Sequence, residues 1–173
     1  MNNHFPEITL RTATIADLQL LVFWDSQQHV IDSDPNDDWN WEVELTRDVS
    51  WREQLIAEVS DRPIGFVQII DPLREESHYW GDVEENLRAI DIWIGEADFL
   101  GKGFGTAIMR LALNRCFDNP NVTAVIIDPL ESNTRAHRFY ESLGFRFTEK
   151  KLLGSDQCFV FRLNRTDWVK NEN

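Results

Sequence analysis

Little in this 173-residue chain points to covalent or metal-borne stability. It has two cysteines, Cys116 and Cys158, far apart in different apolar patterns and in no spacing suited to a zinc site or a redox pair. Both read as reduced core residues. Glycine (8) and proline (6) are sparse, which excludes collagen-like and low-complexity chains. No run approaches the roughly 18 apolar residues of a membrane span, and Met1 to Pro6 lacks a basic region followed by an apolar run. The expectation is a cytoplasmic protein that does not enter a membrane. Basic residues are also few: 17 Lys and Arg face 30 Asp and Glu, a net charge of −13. Such a balance argues against nucleic acid or an anionic membrane surface as partner and favours a cationic ligand.

What is present is an ordinary globular composition, 42% apolar and 27% charged, long enough to bury its own core as one domain over residues 1–173. Ile8 to Thr12 alternates as a strand, and Thr14 with Asp17 offers a capping box before Leu18, Leu21 and Val22. Residues 25–53 are polar and aromatic, with a weak helical pattern from Trp41 to Val49. Gln54 to Val59 and Ile64 to Ile70 read as a hairpin turned at Asp61, Arg62 and Pro63, and Ala89 to Gly95 as a further strand. The second half alternates clearly. A helix from Phe104 to Phe117 carries Ile108, Leu111, Ala112 and Cys116 on one stripe, and a β-branched strand runs from Val122 to Ile127. A helix from Asn133 to Leu143 stops at Gly144. Strands Phe145 to Lys150 and Gln157 to Leu163 then turn at Gly154, and the tail from Asn164 is polar. The fold class is α/β with a mixed sheet.

The most informative stretch is Gly101-Lys102-Gly103-Phe104-Gly105-Thr106, between a strand and a helix. Glycines let the backbone approach a ligand, and the free N–H groups of the helix's first turn suit a phosphate or pyrophosphate. A nucleotide-binding P-loop fails, because Gly101-Lys102 is followed by Gly103 and not by Ser or Thr. A dinucleotide fingerprint needs a third glycine where Thr106 stands, and it would follow the first strand of a βαβ series. The spacing G-x-G-x-G resembles instead the acyl-coenzyme A loop of the GNAT N-acyltransferases. Asn133, Ala136, Tyr140, Gly144 and Phe145 match that superfamily's N-x-x-A-x-x-x-Y-x-x-x-G-F pattern at the expected distance. Leu100 departs from it, standing where Gln or Arg is usual. Within the superfamily the chain is most similar to the aminoglycoside 6′-N-acetyltransferases, through Arg88-Ala89-Ile90-Asp91, Phe117-Asp118-Asn119-Pro120, Asp128-Pro129, Ser132-Asn133 and Tyr140-Glu141.

The resemblance implies a GNAT-like mixed, mainly antiparallel central sheet with helices on both faces. It implies a splayed pair of parallel strands, near Asp91 and Asp128, that admits the pantetheine of acetyl-CoA. Residues 89–148 would be the acetyl-CoA-binding half, and the loops 25–53 and 71–88 the acceptor side. Backbone N–H groups of Gly101, Lys102, Gly103, Phe104, Gly105 and Thr106 would hold the pyrophosphate, and Asn133 the pantetheine arm. A backbone N–H near Trp93 or Ile94 would stabilise the oxyanion. Tyr140 would donate to the departing thiolate. By their residue types alone, Asn133 is equally a helix cap and Tyr140 a core residue.

Charge gives an independent argument. Residues 25–48 and 71–98 carry a net charge of −14 over 52 positions, while the other 121 sum to +1. Four of the seven tryptophans, Trp39, Trp41, Trp80 and Trp93, lie in the same segments. Carboxylates orient ammonium groups and aromatic faces cover sugar rings, so Asp37, Asp38, Trp39, Trp41, Glu42 and Trp80 are candidate acceptor-binding residues. The plainer alternative is acidic loops that keep the protein soluble. Alternation places Asp91 beside Trp93 on one face of its strand, opposite Ile90, Ile92 and Ile94. A protonated amine cannot attack a thioester until a proton leaves, so Asp91 is a candidate general base, as at the matching position of the 6′-N-acetyltransferases, or else a binder of the ammonium. Asp128 is either a second ammonium contact or turn chemistry with Pro129.

His4, His29, His78 and His137 have no metal-ligand spacing, so no metal is expected and each histidine reads as surface or satisfied. The reading is direct acetyl transfer in a ternary complex to the 6′-amine of an aminoglycoside, by a monomer or homodimer. The alternatives are another amine (a polyamine, a siderophore precursor or a protein N-terminus) and a non-catalytic acyl-CoA-binding module. Acceptor affinity should weaken as salt is added, because exposed charges are screened; titrations at rising ionic strength check this, and salt-independent binding would remove the acidic pocket.

Overall fold

The strand and helix order of the sequence is largely kept in the computed structural model, which describes residues 6–171. The elements are β1 (Ile8–Thr12), α1 (Leu18–Asp25), α2 (Gln28–Ser33), α3 (Trp41–Glu44), β2 (Arg52–Val59), β3 (Arg62–Ile70), β4 (Leu87–Ile94), α4 (Phe104–Phe117), β5 (Ala124–Ile127), α5 (Thr134–Ser142), β6 (Arg146–Leu153), β7 (Asp156–Asn164) and α6 (Arg165–Asn171). The seven strands form one sheet in the order β1-β2-β3-β4-β5-β7-β6. β4 and β5 run parallel; β1 with β2, β5 with β7 and β6 with β7 are antiparallel. This is the expected mixed α/β architecture. Among the described residues no helix is long and apolar enough to cross a membrane.

The chain divides into two compact units. The first comprises the described part of Met1–Val49 together with Glu53–Gln68 and Ile92–Leu111. Its capping box forms as expected: the Thr14 hydroxyl accepts Ala16 N–H at 3.3 Å, and the Asp17 carboxylate accepts Thr14 N–H at 2.8 Å. Asp17 is buried, and Arg11 donates to both its oxygens at 2.8 and 2.9 Å. That forked pair is the main reason the carboxyl sits below its ordinary range. Leu21, Trp24, Trp41, Ile56 and Phe66 make the core. The hairpin turns at Ser60 and Asp61 (φ 49° and 63°), not at Arg62 and Pro63, which already belong to β3. A two-residue turn with positive φ at both positions matches the twist of its strands. The expected helix over Trp41 to Val49 is a single turn, and α2 was not foreseen because it buries no residue and shows no apolar stripe.

The second unit comprises Ser50–Arg52, Ile69–Asp91 and Ala112–Asn173. Trp80, Leu87, Ala89, Ala124, Ile126, Leu153 and Cys158 form a core cluster there. Both cysteines are buried and neither is in a disulfide. Asn133 caps α5, its side-chain oxygen accepting Ala136 N–H at 3.1 Å. At the other end Gly144 (φ 95°) donates to the Glu141 carbonyl at 3.0 Å and Phe145 to the Tyr140 carbonyl at 3.2 Å, with the Phe145 and Tyr140 rings 5.8 Å apart. This is a Schellman ending with its hydrophobic contact. The polar tail contains α6, a departure from expectation. Arg165 donates to the carbonyls of Phe117, Asn119 and Val122 and lies 5.0 Å over the Phe117 ring. Trp168 stacks on that ring at 6.1 Å. One anchoring ring per helix leaves no periodicity to read.

Gly95, just past β4, shows how tightly the first unit packs. A Cβ there would lie 2.1 Å from Cδ2 of Trp24, whose ring is fully buried. Gly95→Ala should therefore cost about 3 kcal/mol and lower the melting temperature by roughly 6–12 °C. Thermal unfolding measures this, and a shift under about 2 °C would show that Trp24 yields freely.

Candidate active site

In the first unit, Gly101 and Gly103 adopt φ of 67° and 88°. A Cβ on Gly101 would meet nothing within 4 Å, so the position needs glycine for its backbone angle and not for space. The loop delivers the chain into α4, a helix of 14 residues whose first bond runs from Ala107 N–H to the Gly103 carbonyl. The N–H groups of Phe104, Gly105 and Thr106 consequently have no partner within the helix and lie at its positive end. Gly101, Lys102 and Gly103 are exposed, while Phe104 is buried and packs edge-on to Phe99 at 4.9 Å, which fixes the turn. A helix N-terminus preceded by exposed glycines and a lysine fits a pyrophosphate, and so fits coenzyme A.

In the second unit, the parallel ladder of β4 and β5 is three pairs long, from Leu87↔Ala124 to Ala89↔Ile126. Asp91 lies two residues beyond its end on β4, and Asp128 directly follows β5; both are half-buried. Tyr140, on α5, is 8% exposed. Burial, then the Asp91 and Asp128 carboxylates, push its hydroxyl well above the usual tyrosine range. The group therefore stays protonated at neutral pH and has a hydrogen to donate. Asp128 is held by two neutral donors: the Trp80 indole N–H reaches Oδ1 at 3.1 Å, and the Tyr79 hydroxyl bonds its carboxylate. Burial and then Asp128 likewise keep Tyr79 protonated. Sequence reasoning missed Tyr79, since an isolated loop residue has no periodicity; its pairing with Trp80 in an acidic loop was the available signal. Trp80, expected as an acceptor-facing ring, is 5% exposed in the core of this unit, and what it presents is its N–H. Asn133 has its side-chain oxygen committed to the α5 cap, which leaves the amide NH2 for a ligand.

The residues of the first unit expected on the acceptor side lie in an acidic and aromatic cluster. Trp39 and Trp41 stack at 4.9 Å, with Trp93 5.1 Å from Trp39 and Phe66 4.6 Å from Trp93. Trp41 is buried, so its faces are already covered; Trp39 is half-buried and keeps some surface. The Trp93 indole nitrogen is buried without a hydrogen-bond partner. Trp41 donates to Asp25 at 2.5 Å, and Trp39 to Asp37. Asp38 and Glu42 are exposed. Asp25 is raised by burial, an effect that Trp41 opposes and Asp38 reinforces. Asp37 is exposed as a residue, yet partial burial of its carboxyl and then the charges of Asp34 and Asp25 push it up to about 7. No cation is among the influences on it.

Of the histidines, His137 bonds the Leu130 carbonyl at 2.9 Å and stacks on Phe159, while His29 bonds the Ile94 carbonyl at 2.8 Å. His78 is exposed, and His4 lies outside the described residues. Among the described residues no cluster of side chains is suited to a metal ion.

Asp37 gives a pH test of the acidic cluster. Its folded value lies above the unfolded one, so between about pH 4 and pH 7 the folded chain holds a proton that the unfolded chain releases, and stability falls as pH rises through that window. Asp37→Asn should thus raise the melting temperature relative to the parent more at pH 8 than at pH 4.5 or so. Equal shifts at both pH values would place the Asp37 carboxyl in open solvent.

The chain matches the acetyltransferase (GNAT) domain family over residues 14–151. It is 30% identical over 159 residues to the aminoglycoside N(6′)-acetyltransferase type 1 of Klebsiella pneumoniae, spanning 84% of this chain and 77% of that protein. To a kanamycin resistance protein of Rhizobium radiobacter it is 39% identical over 74 residues, 42% of this chain and 68% of that one. The crystal structure of aminoglycoside acetyltransferase AAC(6′)-Ib with coenzyme A and kanamycin superposes with a TM-score of 0.88 at 26% identity, over 96% of this chain and 100% of that chain. With the glycine loop at the start of α4 and this family match over most of its length, the chain belongs to the GNAT acetyltransferases and is an acetyl-CoA-dependent N-acetyltransferase.

Proposed function

We propose that the protein acetylates a primary amine of a polycationic small molecule, the 6′-amine of an aminoglycoside, by direct transfer in a ternary complex. The observation that carries this reading is the cluster of Asp91, Asp128 and Tyr140, in which a buried, protonated hydroxyl lies in the field of two carboxylates. Kinship with aminoglycoside N(6′)-acetyltransferases supports the choice of acceptor. The family match includes residues of both compact units, which supports one catalytic domain over residues 1–173. Two buried cysteines outside any disulfide support a reducing, cytoplasmic setting and argue against an acyl-cysteine route.

The amides of Gly101 to Thr106 hold the pyrophosphate, Lys102 adds a positive charge, and the Asn133 NH2 contacts the pantetheine arm. Bound there, acetyl-CoA supplies an acetyl group activated as a thioester. The backbone N–H of Trp93 or Ile94 donates to the acetyl oxygen. Asp91 accepts one proton from the acceptor ammonium, and the freed amine bonds to the acetyl carbon. The carbon–sulfur bond breaks, and the sulfur leaves on a hydrogen bond from Tyr140 Oη and takes up the second proton of the nitrogen. Asp128, oriented by Trp80 and Tyr79, binds a second ammonium of the acceptor. Asp37, Asp38 and Glu42 attract the cationic rings, and Trp39 covers one of them while Trp41 supports Trp39 from behind.

Release of coenzyme A thiol across a panel of amines tests the function. Turnover with kanamycin-type acceptors is expected; turnover only with polyamines or peptides would move the substrate class, and binding without turnover would remove the enzyme. Asp91→Asn should lower kcat by about two to four orders of magnitude if the carboxylate takes the proton. Full activity of that variant across the pH range would leave Asp91 no part in the chemistry.

A further inference from the structure

The end of β4 is held within the first unit by contacts that the proposed chemistry does not use. Gly95 N–H donates to the Ile64 carbonyl of β3 at 2.9 Å, and Glu96 N–H to the same oxygen at 3.2 Å. The two ends of a trans peptide point in opposite directions. With Gly95 N–H directed at β3, the Ile94 carbonyl must point away from β3. A residue's N–H and C=O share one edge of a strand, so Ile94 N–H points the same way, and Trp93 N–H points back toward β3. The close approach of Gly65 to the Trp93 carbonyl agrees with this: a Cβ on Gly65 would lie 2.6 Å from that oxygen. Of the two amides considered for the acetyl oxygen, Ile94 N–H alone is on the edge that β3 leaves open.

His29 occupies the same edge. Its Nε2 lies 2.8 Å from the Ile94 carbonyl oxygen, a contact bridging 65 positions of sequence. A carbonyl only accepts, so Nε2 carries the hydrogen, and both the neutral ring and the imidazolium make this bond. The helix that bears His29, α2, buries no residue and has no side-chain cap at its start. Next along the strand exit, the Trp24 ring lies against Gly95, and the Trp24 indole N–H donates to Glu96 at 2.9 Å, opposite Arg62 at 3.1 Å.

We infer that His29 is a positioning residue for acetyl transfer: by holding the Ile94 carbonyl it fixes the orientation of the Ile94 N–H that meets the acetyl oxygen. It also ties α2, at the head of the segment that carries Asp37, Asp38 and Trp39, to that strand end. The role rests on the acetyl-transfer reading above. In this role His29 acts through the Nε2–H bond to the Ile94 carbonyl and not by moving a proton.

The test compares the full-length parent with His29→Leu, which removes the donor, and His29→Gln, which keeps an N–H. In the protein without ligand, amide exchange at Gly95 and Glu96 should quicken about tenfold in H29L and recover most of the way in H29Q. With acetyl-CoA and kanamycin, H29L should lose about tenfold or more in kcat with acceptor KM within about twofold of the parent, and H29Q should regain most of that loss. Thermal melts of both variants show whether the chain stays folded at the assay temperature. Unchanged exchange in H29L, equal impairment of H29Q and H29L, or a kcat of H29L within about twofold of the parent would each overturn the assignment. An acidic limb of the kcat profile lost in H29Q would make His29 a proton carrier and overturn it too. If the parent turns over no amine, the transfer reading fails instead, and the exchange measurement still decides whether His29 holds the strand end.

Discussion

A parallel ladder that stops after three pairs is the constraint from which the rest follows. β4 and β5 pair only as far as Ala89 and Ile126, while β4 continues to Ile94. Backbone polar groups seldom go without partners inside a protein, so a strand that outruns its ladder must be held by other means or offer its amides to a ligand. The first of these is what the chain shows. β3, Trp24 and His29 fix the strand exit, Asp91 sits where the pairing has ended, and the glycine loop follows within a few residues to present the first amides of α4.

A second theme is how the acidic excess is kept usable. Where a carboxylate serves the fold, an arginine answers it, as Arg11 does for Asp17 and Arg88 for Asp71. Other carboxylates have indoles as donors instead: Asp25 from Trp41, Asp37 from Trp39 and Asp128 from Trp80. A neutral N–H satisfies and orients a carboxylate without cancelling its charge, so the negative field remains for an incoming cation. The tryptophans thus act as much through their nitrogens as through their faces. Asp37 is raised chiefly by burial of its carboxyl and then by the charges of Asp34 and Asp25.

The two sequence patterns divide between fold and chemistry. In the glycine loop, Gly101 and Gly103 supply the positive φ with which the chain turns into the head of α4. In the second pattern, Asn133 caps α5 and Gly144 with Phe145 closes it, so much of its regularity is helix punctuation. Only Tyr140 among those positions has a hydroxyl in the field of two carboxylates.

Sequence alone determined what local chemistry encodes. The capping box at Thr14 and Asp17, the alternation of strand and helix after residue 100, the glycine loop and the α5 stop are all written in neighbouring residues, and Asp91, Asp128 and Tyr140 were named from motif and parity. Tertiary structure decided what depends on residues distant in the chain. It placed Trp41 and Trp80 in the core although both lie in loop-like segments, and it formed α6 through Trp168 and Arg165 against the end of α4. It brought Trp80 and Tyr79 onto Asp128 and His29 onto Ile94. Periodicity records which way a side chain faces along its own element; a hydrogen bond across 48 or 65 positions leaves no such trace, because nothing in the intervening residues repeats with it.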